Sequence, residues 1–257
     1  MNSANFTTNF SNATTGLVLA STYVNGPGTI TNALGKTLNM SYGAMNAPFA
    51  NYGTLVFTGS GTIAGSTFFA DTASTLRVQG SNAGGHTSLT VTGGLAARGN
   101  LELTSIEQGF NATLTVTGGS LTNTFGDTIY TRAGTGGSRT IVGAVAVDGA
   151  LNLTPGAAGV LGITGSLAGD GSFIMDLGGT TAGTQYDQIL ITGTPGTLTL
   201  GNTYLYVNTF GGFTPLSGNS FTLMTYTSAV GGFEIFNPPW GAGTYNLNPT
   251  ALVITRP

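Results

Sequence analysis

The sequence predicts an all-β protein, and within that class a right-handed parallel β-helix whose end is covered by a β-rich C-terminal cap. Short segments that alternate apolar and polar residues recur along the chain, which is typical of strands with one buried side. Two nearly identical heptapeptides, SLTVTGG (Ser88–Gly94) and TLTVTGG (Thr113–Gly119), follow one another in the middle of the chain. The last third of the chain holds half of the aromatic residues and the only tryptophan.

The composition restricts the class of protein. The chain has 257 residues, of which 43 are Gly, none is Cys and 6% are charged, whereas an ordinary domain has about 25% charged residues. Ser and Thr make up roughly a quarter of the chain and supply the missing polarity. The net charge is −3 and the six basic residues are dispersed, so we expect no nucleic-acid partner. The lack of cysteine excludes disulfides and thiolate metal sites.

Export is expected although this chain contains no signal for it. The opening segment, MNSANFTTNFSNATTG, has neither the basic nor the apolar region of a signal peptide. No apolar run approaches the roughly 18 residues of a membrane-spanning helix, so we expect no membrane span. A bacterial extracellular or cell-surface protein, whose signal peptide is absent from this chain, fits this composition.

Strand cores are the first element that the sequence places. Most have apolar residues at i and i+2 with a polar residue between them, and turn residues close them. The cores are Leu55–Phe57, Leu76–Val78, Leu89–Val91, Leu101–Leu103, Leu114–Val116 and Leu151–Leu153. No window of about twelve residues has a convincing helical period.

The spacing of these cores explains the repeated heptapeptide. Leu76, Leu89, Leu101 and Leu114 follow one another at intervals of 13, 12 and 13, so two intervals give 25 and one unit should hold two short strands and two turns. Hairpins would give a spacing of about 8–12 residues, whereas a solenoid coil of about 20–30 residues fits better. We therefore predict that like residues stack in inward ladders about 4.8 Å apart. These residues are Leu76, Val78, Leu89, Val91, Leu101, Leu103, Leu114 and Val116.

The regular spacing of the strand cores is lost on both sides of this region. Upstream, Leu17, Leu38 and Leu55 are spaced at unequal intervals of 21 and 17. Downstream, Ile141–Val147 reads as a strand, and the segment RAGTGGSR (Arg132–Arg139) should loop out between coils, since insertions leave the stacked ladder intact.

The chain divides into coils in residues 1–165 and a cap in residues 166–257. From Gly171 onward it contains GGTTAGTQYDQILITG, TLTLGNTYLYV, PLSGNSFTLM, GGFEIF and ALVIT. Residues 171–257 resemble the C-terminal part of the passenger region of bacterial autotransporters and related repeat-rich surface proteins, most specifically in Tyr186-Asp187-Gln188 followed by Gly193. The resemblance implies a segment that caps the β-helix and assists its folding during export.

A cap is also expected on physical grounds, because an open solenoid end exposes apolar interior and unpaired backbone. We predict that Tyr186, Phe221, Phe233 and Phe236 are mostly buried over the last coil. At the other end, the N-terminal stretch with Phe6, Phe10, Leu17 and Leu19 has strand character. It is either a frayed terminus or an open edge for strand addition by a second copy; in the second case, removal of residues 1–20 should weaken any filaments.

Catalysis by a β-helix on polysaccharide would require clustered carboxylates or basic residues with a bound cation. Among the nine carboxylate residues, Asp170, Asp176 and Asp187 form the most closely spaced set of three in the sequence. Asp187 lies in the YDQ of the resembling segment, where we expect it to accept backbone hydrogen bonds. Glu102 and Glu107 lie across a turn, and we expect solvated surface there.

Other polar signals are weak. His86, the only histidine, lies in the polar turn SNAGGHTS and is a candidate for neither a catalytic triad nor a multi-histidine metal site. Lys36 is the only lysine. GDGSF at Gly169 occurs once, without the repeats of a calcium-binding solenoid. We therefore predict no catalytic residue, metal or cofactor. Six Asn-X-Ser/Thr sites are expected to reflect composition alone: Asn5, Asn9, Asn12, Asn39, Asn111 and Asn152.

The sequence thus predicts a structural or adhesin-like extracellular protein that does not catalyse a reaction and that self-associates laterally or end to end, the latter giving filaments. Its charge-poor surface favours such packing because few ions are desolvated. Host or surface glycans are further candidate partners. The alternative is a carbohydrate-binding or polysaccharide-degrading β-helix, which exposed aromatic side chains beside carboxylates would favour.

Overall fold

The computed structural model describes residues 2–14, 17–65, 68–107, 109–132, 137–241 and 243–257. These residues contain no α-helix, and therefore no helical segment that is long and apolar enough to cross a membrane. They form a succession of short strands that pair in parallel with the strands of the next coil. The predicted all-β, parallel β-helix class is thereby confirmed, while its right-handed sense stays a prediction from the general preference of parallel crossovers.

The strands are numbered in chain order. The first nine are β1 (Asn2–Asn5), β2 (Phe10–Ser11), β3 (Val18–Ala20), β4 (Thr22–Asn25), β5 (Ile30–Asn32), β6 (Thr37–Ser41), β7 (Ala44–Met45), β8 (Phe49–Asn51) and β9 (Thr54–Thr58). The next nine are β10 (Ser60–Ala64), β11 (Phe68–Ala70), β12 (Thr75–Gly80), β13 (Thr87–Thr92), β14 (Leu95–Ala97), β15 (Asn100–Ser105), β16 (Ala112–Asn123), β17 (Thr128–Thr131) and β18 (Arg139–Val147). The last nine are β19 (Ala150–Asn152), β20 (Val160–Gly169), β21 (Ser172–Leu177), β22 (Gln188–Thr192), β23 (Thr197–Thr209), β24 (Ser220–Thr225), β25 (Ser228–Asn237), β26 (Thr244–Leu247) and β27 (Ala251–Thr255).

Each coil contributes to three faces, where the sequence predicted two strands per unit. The first face contains β3, β6, β9, β12, β15, β17, β19, β21 and the second halves of β23 and β25. The second face contains β1, β4, β7, β10, β13, the first parts of β16, β18 and β20, and β22 and β24. The third face begins with β2, β5, β8 and β11, continues through β14, and ends in the remaining parts of the long strands.

The predicted ladders are present, but they divide between two faces. Leu76 pairs with Leu101 on the first face, and Leu89 pairs with Leu114 on the second. All eight predicted inward residues are buried. The sequence missed the third face because its strands, such as LAA in β14, are too short to display a clear alternation.

Glycine pairs explain the repeated heptapeptide: one pair follows β13, and the equivalent pair lies inside β16, where that strand passes from the second face to the third. Gly93 and Gly94 have φ values of 89° and 84°, and Gly118 has 68°, conformations that favour glycine. A Cβ on Gly119 would lie 2.9 Å from the Cα of Gly94. The second and third faces therefore meet at a corner where successive coils are too close for side chains.

Inward columns of apolar residues form the core, and every residue in them is at most 5% exposed. On the first face the column is Leu38, Leu55, Leu76, Leu101, Ile129, Leu151, Phe173 and Leu205. On the second face it is Leu89, Leu114, Ile141, Ile163 and Ile191, and on the third Leu95, Leu121, Val145, Leu167 and Leu198. Burial of such side chains, at roughly 1.5–3 kcal/mol each, holds the coils together.

A ladder of buried asparagines continues the interior at the corner between the third and first faces. Asn12 Nδ2 donates to Asn32 Oδ1, and Asn32 Nδ2 donates to Asn51 Oδ1, both at 2.7 Å. Asn51 Nδ2 then donates to the Thr75 carbonyl at 3.2 Å. The amides thus satisfy one another from coil to coil, as buried polar groups require. Since Asn12 is 2% exposed, its sequon is not accessible in the folded chain.

The C-terminal end is closed by an antiparallel hairpin. Strand β27 pairs with β26 and also with β24 of the last coil. Parallel stacking runs through the predicted boundary at 165/166, which falls inside β20, and continues to β25. Burial of Tyr186, Phe221 and Phe233 is confirmed, whereas Phe236 is only partly buried.

At the N-terminal end, β1, β2 and β3 each have one paired neighbour among the described residues. Phe6 and Phe10 are partly buried against the core, and their ring centroids lie 5.7 Å apart. Leu17 is also partly buried and Leu19 is buried. Of the predicted loop Arg132–Arg139, residues 133–136 lie outside the described part of the chain.

Candidate functional site

Asp176 and Asp187 come together beneath the loop that precedes β20, but Asp170 does not join them. Asp187 accepts hydrogen bonds from the Gly159 N–H at 2.6 Å and from the Asp176 N–H at 2.8 Å. Asp176 accepts from the Gly156 N–H at 2.7 Å and from Asn208 Nδ2 at 3.1 Å. Both carboxyls therefore fix the backbone, as the sequence predicted for Asp187.

The environment of Asp187 disfavours its charged form. Burial raises the pKa of its carboxyl from 3.8 to about 8, although the hydrogen bonds from Asp176 and Gly159 act in the opposite direction. The nearby Asp176 carboxylate adds a smaller upward contribution to this pKa. The side chain itself is fully buried, so it has no access to an external substrate.

The prediction that Glu102 is solvated at the surface is wrong. Glu102 is 2% exposed and lies between two guanidiniums. Arg77 Nε is 2.6 Å from Oε2, and Arg132 Nη2 is 2.7 Å from Oε1. Arg132 also covers the ring of Tyr130, at 4.8 Å from its centroid. Glu107, which we also expected at a solvated surface, accepts the Asn82 N–H.

His86 lies in a turn, as predicted; it is exposed and has a structural contact. Its Nδ1 accepts the Asn111 N–H at 3.0 Å, and its ring meets Phe110 edge-on. Within the described ranges, no three His, Cys, Asp or Glu side chains are arranged to hold a metal ion.

A groove of about 250 Å³ lies on the flank, at the corner between the third and first faces. We call it the corner groove; its lining includes Phe125, Asp127, Asp148, Asp170, Gly171 and Tyr204. Three successive corner turns build it, joined by bonds from the Asp148 N–H to the Asn123 carbonyl and from the Asp170 N–H to the Val147 carbonyl. It spans the ladder Thr128, Ala150, Ser172 and Tyr204, a length of about 14 Å for three strand spacings.

Phe125 forms one end of the corner groove. It lies at the tip of a turn that is fixed by the Asp127 N–H to Thr124 carbonyl bond at 3.1 Å and by a bond from the Thr124 hydroxyl to the Asp127 carboxylate. Its side chain is 91% exposed. The ring therefore presents an apolar surface to solvent at the end of the groove.

Small residues keep the groove floor open. A Cβ on Gly149 would lie 2.3 Å from the Thr124 carbonyl oxygen, and one on Gly171 would lie 2.1 Å from the Gly149 oxygen. The close stacking of the coils therefore requires glycine at both positions. The resulting depression separates Phe125 at one end from Tyr204 at the other.

Two exposed carboxylates line the same groove. Asp148 and Asp170 occupy successive coils, directly after the paired residues Val147 and Gly169. Asp170 Oδ1 accepts the Asn202 N–H at 3.0 Å, which orients this carboxylate. The corner groove therefore combines aromatic rings with hydrogen-bond acceptors, and no Lys or Arg of the described residues lines it.

A larger groove, of about 810 Å³, lies on the second face beside Arg132 and Arg139. Its Arg139 donates to the Gly137 and Arg132 carbonyls, and burial lowers the pKa of its guanidinium. This cation is therefore used in holding the backbone. The corner groove, whose ring and acceptors face outward, is the better candidate site.

Sequence reasoning missed Phe125, Asp148 and Tyr204. The available signal was TFGD (Thr124–Asp127), because a large aromatic residue stands there in a turn whose other members are typical polar turn residues. The three residues lie close together only because of the lengths of the coils between them, and no sequence repeat in this region indicates those lengths.

The chain matches no protein-family model, and no curated protein sequence is similar to it. The resemblance of residues 171–257 to autotransporter passengers stays a prediction.

Proposed function

We propose that the protein is an extracellular, adhesin-like structural β-helix that self-associates and does not catalyse a reaction. The observation that carries the proposal is the outward side of the second face. One column there is Ser60, Ser88, Thr113 and Thr140, and the next is Thr62, Thr90 and Thr115. The second column continues through Val142 to Thr164 and Thr192, and one outward position further along the strands Thr92 pairs with Thr117.

This hydroxyl surface has the properties of a packing surface. Its rows repeat about every 4.7–4.9 Å across the strands, as in any sheet, and about every 6.7 Å along them. None of the residues named in these columns is charged, so that contact with a second copy through them desolvates few ions. Because the antiparallel hairpin β26–β27 covers the C-terminal end, we propose lateral association through the second face, and end-on contacts at the edges of β1, β2 and β3.

Two lysines placed in the centre of the second face test this proposal. The variant Thr90→Lys with Thr115→Lys places two cations on adjacent coils and should abolish association measured by sedimentation velocity across a range of concentrations. The matched control is Ala96→Lys with Thr122→Lys, which places two cations on adjacent coils on the outward side of the third face. A wild-type chain that stays monomeric, or a second-face variant that assembles as well as the control, would contradict the proposal.

The proposal that the protein is not a catalyst has its own test. Asp170 is the exposed member of the predicted carboxylate set, whereas Asp176 and Asp187 hold backbone N–H groups. Measurable breakdown of a polysaccharide by the purified chain, lost in Asp170→Asn with an unchanged circular dichroism spectrum, would overturn it.

A second candidate function, carbohydrate binding, is favoured by one specific observation. The corner groove is lined by the exposed ring of Phe125 and by the Asp148 and Asp170 carboxylates, a combination that favours carbohydrate recognition. An adhesin with such a groove would bind glycans while the hydroxyl surface packs against other copies.

A further inference from the structure

We propose that the corner groove is a binding site for a neutral oligosaccharide, with Phe125 and Tyr204 as stacking surfaces and Asp148 and Asp170 as acceptors of sugar hydroxyls. This inference rests on the second proposed function, carbohydrate binding. It assigns that function to particular residues and to a chemical class of ligand.

The aromatic groups suit the apolar side of a sugar ring. A pyranose presents C–H groups on its faces, and aromatic π faces carry partial negative charge that attracts them. Phe125 is 91% exposed, and the bonds of its turn fix the backbone that carries the ring. Binding therefore has to order only the two side-chain torsions of this residue.

The acceptors suit the hydroxyl rim of the same ring. Carboxylates accept O–H hydrogen bonds that are shorter and roughly twice as strong as bonds between neutral groups. Asp170 is oriented by the Asn202 N–H, and Asp148 stands exposed on the neighbouring coil. The two acceptors lie between the two aromatic side chains in the order of the coils, so that one ligand can meet all four groups.

Charge determines which glycans fit. Asp127, Asp148 and Asp170 line the groove, and no basic residue of the described ranges does, so that an acidic sugar would meet like charges. The volume of about 250 Å³ lies below the roughly 300–1,000 Å³ of common ligand pockets. We therefore infer a short segment of a neutral polymer, bound weakly at one site and more firmly where many copies assemble.

The test is a titration of the full ¹⁵N-labelled chain with cellohexaose, chitohexaose and the anionic hexagalacturonate, followed by amide chemical shifts. Saturable shifts of Gly126, Gly149 and Gly171 are expected with at least one neutral hexasaccharide, and none with hexagalacturonate. Phe125→Ala should raise the Kd at least about tenfold. The matched control, Phe69→Ala, changes an exposed phenylalanine on the third face and should leave the Kd unchanged.

Three results would overturn the inference: no shift of these glycines by either neutral probe up to about 10 mM, ten times the Kd of a millimolar site; equal binding of hexagalacturonate; or an unchanged Kd in Phe125→Ala. Saturable shifts of other amides that leave these three glycines unmoved would overturn the corner groove as the site and keep carbohydrate binding as a function. No shift of any amide by either neutral probe would overturn both.

Discussion

Phe221→Ala should be among the most destabilising single substitutions in this protein. Phe221 is fully buried under the C-terminal hairpin, and its ring centroid lies 5.4 Å from Tyr186, 6.2 Å from Phe213 and 6.4 Å from Trp240. Truncation of a buried phenylalanine costs about 3–5 kcal/mol. Because each favourable aromatic pair is worth about 0.5–1.5 kcal/mol beyond its buried area, we expect the upper end of that range.

Equilibrium unfolding in urea measures this loss through the shift of the midpoint at a constant slope. The matched control is Phe125→Ala, which removes the same ring from an exposed turn and should change stability by less than about 0.5 kcal/mol. Limited proteolysis should also cut Phe221→Ala within residues 171–257 sooner than wild type. Equal midpoints for the two variants, or first cleavage of the wild type in that segment while residues 1–160 stay intact, would refute the stabilising role of the cap.

Two further predictions concern buried charge. Burial raises the pKa of Asp187 to about 8 in the folded chain. Between about pH 4 and pH 8 the folded state therefore keeps a proton that the unfolded state has lost. The free energy of unfolding should fall as pH rises through this window, by at most about 1.4 kcal/mol per pH unit. Asp187→Asn should remove that slope in unfolding curves at several pH values, and an identical slope in both proteins would contradict the assignment. Glu102→Gln should cost about 2 kcal/mol, less than a fully buried pair because Arg77 and Arg132 remain partly exposed and screened by solvent. The loss should shrink in high salt, and a stability equal to wild type at low salt would show that the ion pairs contribute nothing.

The fold was predictable where the alternation of residues was long enough to show burial. Leu76-Arg77-Val78 and its counterparts reveal an inward side because every second residue is apolar, and the repeated heptapeptide places Leu89 beside Leu114. The third face has strands as short as Leu95–Ala97, in which one apolar pair cannot be distinguished from a turn.

The site was less predictable because its residues meet across coils of unequal length. Glu102 follows Arg77 by the repeat distance of 25, so that their pairing could have been inferred, but Arg132 approaches from the next coil at a distance of 30 along the chain. The coil that separates Asp148 from Asp170 is shorter than the repeat. Without their coil boundaries, nothing in the sequence places these two carboxylates beside Phe125.

The parallel pairing of successive coils also determines how the protein would carry mechanical load. The hydrogen bonds between coils run along the axis of the stack, so that a pull along this axis strains them one coil at a time. A stacked coil adds about 4.8 Å to the length. Hydrogen bonds between neighbouring coils show how many residues one coil contains: Asn46 Nδ2 donates to Asn25 Oδ1, 21 residues away, and the Gly59 N–H donates to the Thr87 hydroxyl, 28 residues away. One coil therefore reaches about 70–100 Å when it is fully extended. Each coil released would lengthen the chain many-fold and relieve the tension on the remaining coils, so that a stack pulled from its two ends would extend in steps before it breaks.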